Sequence, residues 1–268
     1  MVADIVATRV IIITHYSLLI THLVFFSLLI PNFSFAQDTA KRYDAFFLEA
    51  ICQREKGNND AAFDLLSHCV ELDSTRSEAY YYLAQYYRAL KDKDRHLYCI
   101  QKASSLEPEN ATYLETLGET YISQRQYDEA AEVLERLYEV NHSRTDVLGI
   151  LIQLYEQLED YDHAIQALSR LEIAEGKSER LSYAKSQLYT QKGDKKSAIS
   201  EMKQLAEQYP NDLNYHCLYA NTLYQNGQQK QAVQIYEKIL RQEPDNRSAL
   251  MGLLAYYYDQ KDSAQTEV

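Results

Sequence analysis

The sequence predicts an all-α solenoid built from antiparallel helix pairs. Three observations carry this. Tyr87, Tyr121, Tyr155 and Tyr189 stand 34 residues apart. Ala130, Ala164, Ala198 and Ala232 keep the same period. Within one period the apolar residues recur at helical spacing, as in Leu114, Leu117, Gly118 and Tyr121. A fixed period in the range of about 20 to 50 residues marks units that pack only on their neighbours. Such arrays act through extended surfaces, so the period points towards binding and away from chemistry.

Six 34-residue units fill residues 43–246, starting at Tyr43, Ser77, Ala111, Thr145, Glu179 and Leu213. Residues 37–42 read as a short linker and 247–268 as a partial seventh repeat or a C-terminal capping helix. Each unit opens with one amphipathic stripe and continues with a second, such as Ala130, Leu134 and Leu137. Neither helix can hide its stripe alone, so the hairpins stack. Position 8 of the unit is small (Ala50, Ala84, Gly118, Ser186, Ala220), and so is position 20 (Ala62, Ala130, Ala164, Ala198, Ala232). These are the places where two helices must approach closely. Gly57, Gly193 and Gly227 fall in the intervening turn, where a left-handed residue ends a helix. Pro108, Pro210 and Pro244 separate units, since proline cannot continue a preceding helix. In the seventh unit, Leu250, Leu253, Leu254 and Tyr257 mark a first helix, and a second is expected from Asp262. Tyr87, Tyr121, Tyr155, Tyr189 and Tyr257 are all assigned to the core.

This joint pattern resembles the tetratricopeptide repeat family over about residues 43–268. The matching positions include the aromatic or apolar position 4 (Phe46, Tyr80, Leu114, Leu148, Leu250) and the Leu of position 7 (Leu83, Leu117, Leu151, Leu253). His96 at position 20, Ile152 and Leu254 at position 8, and Gln53 at position 11 depart from it. The resemblance implies a right-handed superhelical solenoid whose first helices line a concave groove. It assigns groove roles to Phe47, Ile51, Arg54, Tyr81, Gln85 and Arg88 in the first two units. The middle units supply Glu115, Glu119, Gln153 and Glu156. Arg180, Tyr183, Gln187, Cys217, Asn221, Tyr224 and Gln225 follow. The peptide- or protein-binding residues expected to matter most are Phe47, Arg54, Tyr81, Gln85, Arg88, Tyr183, Gln187, Asn221 and Tyr224. Aromatic residues and Arg are enriched at interaction hot spots, and amides suit an extended main chain. Some family members grip a C-terminal carboxylate with Lys, Asn and Arg at positions 2, 5, 6 and 9. Phe47, Ile51, Tyr81, Gln85, Glu115 and Glu119 occupy positions 5 and 9 here, so that clamp is not expected.

The formal net charge of −12 argues against nucleic acid, whose affinity rests on Lys and Arg, and against docking on anionic lipid. No Gly-rich phosphate loop, Gly-x-Ser-x-Gly or His-Glu-x-x-His occurs. His68, His96, His142, His163 and His216 are never three or four residues apart, as metal ligands on one helix face would be. His96 is assigned to the core. No enzyme activity, metal or small-molecule cofactor is expected. Cys52, Cys69, Cys99 and Cys217 form no Cys-x-x-Cys and read as buried thiols.

Residues 10–30 are almost free of charge and precede Ser34-Phe35-Ala36-Gln37, which fits a signal-peptidase site. Residues 1–36 are therefore read as a cleaved signal peptide, with an uncleaved membrane anchor as the alternative. Either places the repeats in the periplasm or cell envelope. The expected function is a non-enzymatic scaffold of that compartment, holding a protein or extended peptide. The alternative is the docking or sensor portion of a longer signalling protein or enzyme.

Overall fold

The computed structural model describes residues 38–266, and every regular element among them is an α-helix. The apolar run at 10–30 and the processing site at Ala36 lie outside the described residues. Helix α1 covers 38–55, so residues 38–42, expected as a linker, are helical. Then follow α2 (Asn59–Leu72), α3 (Ser77–Ala89), α4 (Lys93–Leu106), α5 (Ala111–Ser123) and α6 (Tyr127–Val140). The rest are α7 (Thr145–Gln157), α8 (Tyr161–Glu175), α9 (Glu179–Lys192), α10 (Lys195–Gln208), α11 (Leu213–Gln225), α12 (Gln229–Gln242) and α13 (Arg247–Thr266). The first helix of each pair from α3 to α12 begins at position 1 of the 34-residue unit, as the periodicity requires. The chain forms two compact units that meet at Leu117 and Gly118, within α5.

Packing runs between sequence neighbours. The pairs α3–α4, α7–α8, α9–α10 and α11–α12 pack closely, and α6–α7, α8–α9 and α10–α11 link successive hairpins. The core of each hairpin repeats by position. Position 24 is Leu66, Ile100, Leu134, Leu168, Met202 or Tyr236, and position 27 is Cys69, Ala103, Leu137, Leu171, Leu205 or Ile239; all are buried. The five alanines at position 20 have no exposed surface, nor do Ala50, Ala84 and Ala220 opposite them. Where a polar residue enters this crossing, it bonds across it. His96 Nδ1 lies 2.8 Å from the Ala84 carbonyl oxygen, which satisfies the core assignment. Ser186 Oγ donates to the Ala198 carbonyl at 3.0 Å.

The turn inside each hairpin is the same in all six units. Position 15 adopts positive φ: Gly57 (81°), Lys91 (60°), Arg125 (61°), Glu159 (55°), Gly193 (85°) and Gly227 (86°). Its successor donates a backbone hydrogen bond five residues back, as in Asp92 to Tyr87 (2.9 Å) and Asp194 to Tyr189 (2.8 Å). This is the bonding of a left-handed helix end. Asp92, Asp160 and Asp194 then cap the second helix, their carboxylates accepting from the backbone N–H of Arg95, His163 and Ser197.

Of the position 11 tyrosines assigned to the core, Tyr121 and Tyr155 are buried and Tyr87 and Tyr189 only half-buried, and two further assignments differ more. The helix α13 runs unbroken through Asp262, so a second helix does not start there. Among the described residues no second helix packs over α13; Tyr257 is 59% exposed, and Leu250, Met251, Leu254 and Tyr258 are exposed with it. The thiols of Cys69, Cys99 and Cys217 are buried, each pushed up to about 11 by burial, but Cys52 is exposed; all four are free.

Candidate binding clefts

The first candidate site lies within residues 38–117, where α1 and α3 run side by side. A cleft of about 330 Å³ is lined by Arg54, Asn59, Gln85, Tyr86, Arg88 and Ala89. Three of these, Arg54, Gln85 and Arg88, are expected groove residues, and the repeat brings them together because positions 9 and 12 lie one turn apart. Arg54 Nη2 donates to Gln85 Oε1 at 3.1 Å. Its guanidinium also lies over the Tyr82 ring, 4.9 Å from the centroid. Tyr82 contacts Phe47 at 5.7 Å between ring centroids and Tyr81 at 5.6 Å, and Tyr81 in turn leans on Tyr113 at 4.9 Å. Phe47 and Tyr81 thus belong to a half-buried aromatic row beside the cleft. The Tyr86 hydroxyl donates to Asn59 Oδ1 at 3.5 Å. Burial raises the Tyr86 pKa against the opposing pull of Arg54. The Arg88 side chain is exposed and forms no hydrogen bond or ion pair among the described residues.

A second cleft of about 460 Å³ lies within residues 118–266, between α9, α11 and α13. Tyr183, Asn221 and Tyr224 line it as expected, joined by Arg247, Met251 and Gly252. The Tyr236 hydroxyl reaches in from α12 and donates to Asn221 Oδ1 at 2.5 Å. The Tyr236 ring fits only because position 252 is glycine: a Cβ there would stand 2.3 Å from Tyr236 Cζ. The Tyr224 hydroxyl donates to Asp259 and is pushed up to about 12, first by burial and then by that carboxylate. Gln187 is half-buried on α9 and lines neither cleft. Cys217, expected in the groove, belongs instead to the core with Ala220, Leu223 and Tyr236; its Sγ approaches Asn246 Oδ1 at 3.6 Å.

Between α8 and α10 lies a different arrangement of charge. Lys185 holds position 7, which is leucine in four other units, and is nearly buried. Its ammonium meets Glu172 at 2.9 Å and Glu201 at 3.6 Å, and Lys177 reaches Glu201 at 3.3 Å and Glu172 at 4.0 Å. This closed square leaves no charge to offer a ligand. Among the described residues no group of three or more His, Cys, Asp or Glu could hold a metal ion. No described helix is long and apolar enough to cross a membrane.

Residues 121–188, 179–212 and 217–265 each match a model of the tetratricopeptide repeat. The chain is a tetratricopeptide repeat protein. No curated protein matches it by sequence. Among solved structures, this repeat array is similar to the complex of Naa15 and Naa10 bound to HypK-THB, with a TM-score of 0.61, 13% identity and 84% of the chain covered. The match spans 35% of that structure's chain, and at this identity it speaks for the fold. A tetratricopeptide repeat protein from Parabacteroides merdae aligns at a TM-score of 0.45 and 19% identity, covering 75% of this chain and 80% of its own. The MamA protein aligns at 0.45 and 19%, covering 66% and 96%. The tetratricopeptide fold is in general a protein-interaction fold.

The sequence did not single out Asn59 or Tyr86 in the first cleft or Tyr82 beside it, nor Tyr236, Arg247 and Met251 in the second. The run Tyr80-Tyr81-Tyr82 was the available signal for Tyr82, since three successive aromatics on one helix cannot all face the core. Tyr236 shares position 24 with core residues and gave no signal.

Proposed function

We propose that this tetratricopeptide protein is a non-enzymatic scaffold of the cell envelope that holds a protein or extended peptide along its first helices. The observation that carries this reading is the gathering of assigned groove residues into two open clefts. Arg54, Gln85 and Arg88 line one, and Tyr183, Asn221 and Tyr224 the other. Both combine an aromatic wall with amide and guanidinium groups, which suits side chains in pockets and main-chain bonding between them. The envelope assignment rests on residues 1–36 and their Ser34-Phe35-Ala36 junction.

Photo-crosslinking in native cells tests the binding. A crosslinker at Gln85 or Tyr183 is expected to trap a partner that a crosslinker at Tyr98, exposed on the second helix of its pair, does not. Equal trapping from Tyr98 alone would move the interaction off the first helices. Intact mass from the same cells tests the compartment. A species lacking residues 1–36 is the expected result, and a full-length species in the soluble cytoplasm would overturn the assignment.

A further inference from the structure

We infer that the array has an ionic hinge between its fourth and fifth units: α8 and α9 part there, and α9–α13 swing as one body about residues 176–178. The swing carries the α9–α11–α13 cleft with it as one piece. The first ground is what α9 buries. The buried residues of α7 are Val147, Leu148, Leu151, Leu154 and Tyr155. Those of α9 are Leu181, Ser182, Lys185, Ser186 and Leu188. Ser182 and Lys185 stand at positions 4 and 7, where the preceding unit has Leu148 and Leu151, and Glu201 stands at position 23, where it has Ala167. Ser182 Oγ, Glu172 Oε1 and Glu201 Oε1 are buried without a hydrogen bond. The desolvation of such groups is only about offset by pairing. Parting α8 from α9 returns them to water, whereas parting two apolar faces has no such gain.

The second ground is what joins the two helices. Lys185–Glu172, Lys192–Asp162 and Arg180–Glu175 all bridge α8 and α9, and Lys177 in the link reaches Glu172 and Glu201. The third ground is the link itself. Residues 107–110, 141–144, 209–212 and 243–246 are each closed by a backbone hydrogen bond from the last residue to the first, at 3.1 to 3.2 Å. Among the described residues no such bond closes 176–178. Gly176 there has φ 91° and ψ 161°, a region essentially open to glycine alone. A few such residues suffice to absorb a change of angle between packed bodies. Inside the hairpin the bonding is different: Ser186 donates to the Ala198 carbonyl, so α9 moves with α10.

The test measures how fast buried thiols of the full chain react with a maleimide, with peptide mass spectrometry reading each site apart from the four native cysteines. Leu188 and Leu154 both stand at position 10 and are buried. Helix α9 packs on α8 and α10, and Leu188 lies about 160° round the helix from Ser186, hence towards α8. Leu188→Cys is expected to react at least about tenfold faster than Leu154→Cys, the same truncation one unit earlier. Adding Lys185→Leu/Glu201→Leu should close that gap. Ser186→Cys, inside the hairpin, should react as slowly as Leu154→Cys. Equal rates for Leu188→Cys and Leu154→Cys would overturn the hinge. Fast reaction of Ser186→Cys would overturn it too, because α9 would then unfold instead of swinging. A gap that survives Lys185→Leu/Glu201→Leu would overturn its ionic origin. Should circular dichroism show either leucine variant unfolded, Leu181→Cys against Val147→Cys, both at position 3 and buried, repeats the comparison.

Discussion

The α1–α3 cleft and the α8–α10 ion-pair square use the same repeat for opposite ends. In the cleft, Arg54 and Arg88 both sit at position 12 of a first helix, Arg54 half-buried with an amide and an aromatic partner in place of a carboxylate and Arg88 exposed. In the square, a cation enters at position 7, where the repeat demands a buried leucine, and two glutamates neutralise it. A few positions along a helix thus decide whether a charge faces solvent or is locked into the fold. Charge in the interior must be matched, because its desolvation is costly unless paired. Charge on the first helix's open face needs no internal partner and can wait for an external one.

The largest effect expected from this contrast is on stability. Lys185→Leu restores the repeat's apolar residue but strands Glu172 and Glu201, both of which keep an oxygen without a hydrogen-bond donor. We expect a loss of about 3 kcal/mol in urea unfolding, in the range for a buried pair broken on one side. The double change Lys185→Leu with Glu201→Leu should recover most of it, since the Lys177–Glu172 contact remains. Arg54→Gln and Arg88→Gln should move the same curve by less than about 0.5 kcal/mol. An equal loss from the cleft variants would erase the distinction.

The second expected effect is on the pH profile. Burial pulls the Lys185 pKa down, but Glu172 and Glu201 more than offset it, so the net direction is upwards. A raised cationic pKa contributes stability that is fully present below the unfolded value of 10.5 and is lost as pH rises through the folded value. The alkaline fall of the melting temperature should therefore be steeper in the parent than in the Lys185→Leu/Glu201→Leu variant. Glu135 gives the opposite limb. Burial would raise its carboxyl, but Arg170 grips it at 2.6 and 2.7 Å and leaves the pKa lowered. Its contribution is present above about pH 4.5 and lost as pH falls through the folded value. Glu135→Gln should flatten the acid limb alone.

The period of 34 made the helix pairs, their crossings and their turns legible, because position 20 alanine and position 24 bulk must recur for hairpins to nest. Six of the nine expected groove residues fall in the two clefts by the same register, with Phe47 and Tyr81 in the aromatic row beside the first. What stayed illegible is what depends on a partner outside the pattern. Lys185 breaks the leucine of position 7 and is tolerable only because Glu172 and Glu201 arrive from other helices. Cys217 shares a position with Phe47, Tyr81 and Tyr183, yet Asn246 and the α12 core cover it. Tyr257 repeats the tyrosine of position 11, yet no described second helix covers it and it is exposed.

The smallest effect concerns the turns, and it separates the two halves of the contrast by chemistry alone. Gly57 closes the hairpin of α1, on one side of the cleft, while Lys91 closes that of α3, on the other. Arg125 and Glu159 are likewise non-glycine at this position. An L-residue in the left-handed region costs about 1 kcal/mol or more relative to its preferred conformation, which glycine does not incur. Part of that is offset because glycine has more freedom to lose on folding. Lys91→Gly, Arg125→Gly and Glu159→Gly should therefore each stabilise by about 0.5 kcal/mol, and add, since their sites are separate. The reciprocal change Gly193→Ala should cost about 1 kcal/mol. A Cβ at Gly193 meets nothing within 4 Å, so only backbone conformation is at stake. Equilibrium urea unfolding of the triple glycine variant decides it. A midpoint at or below the parent's would mean that the side chains of Lys91, Arg125 and Glu159 hold their turns by interactions stronger than the strain, and that position 15 is not merely a conformational hinge.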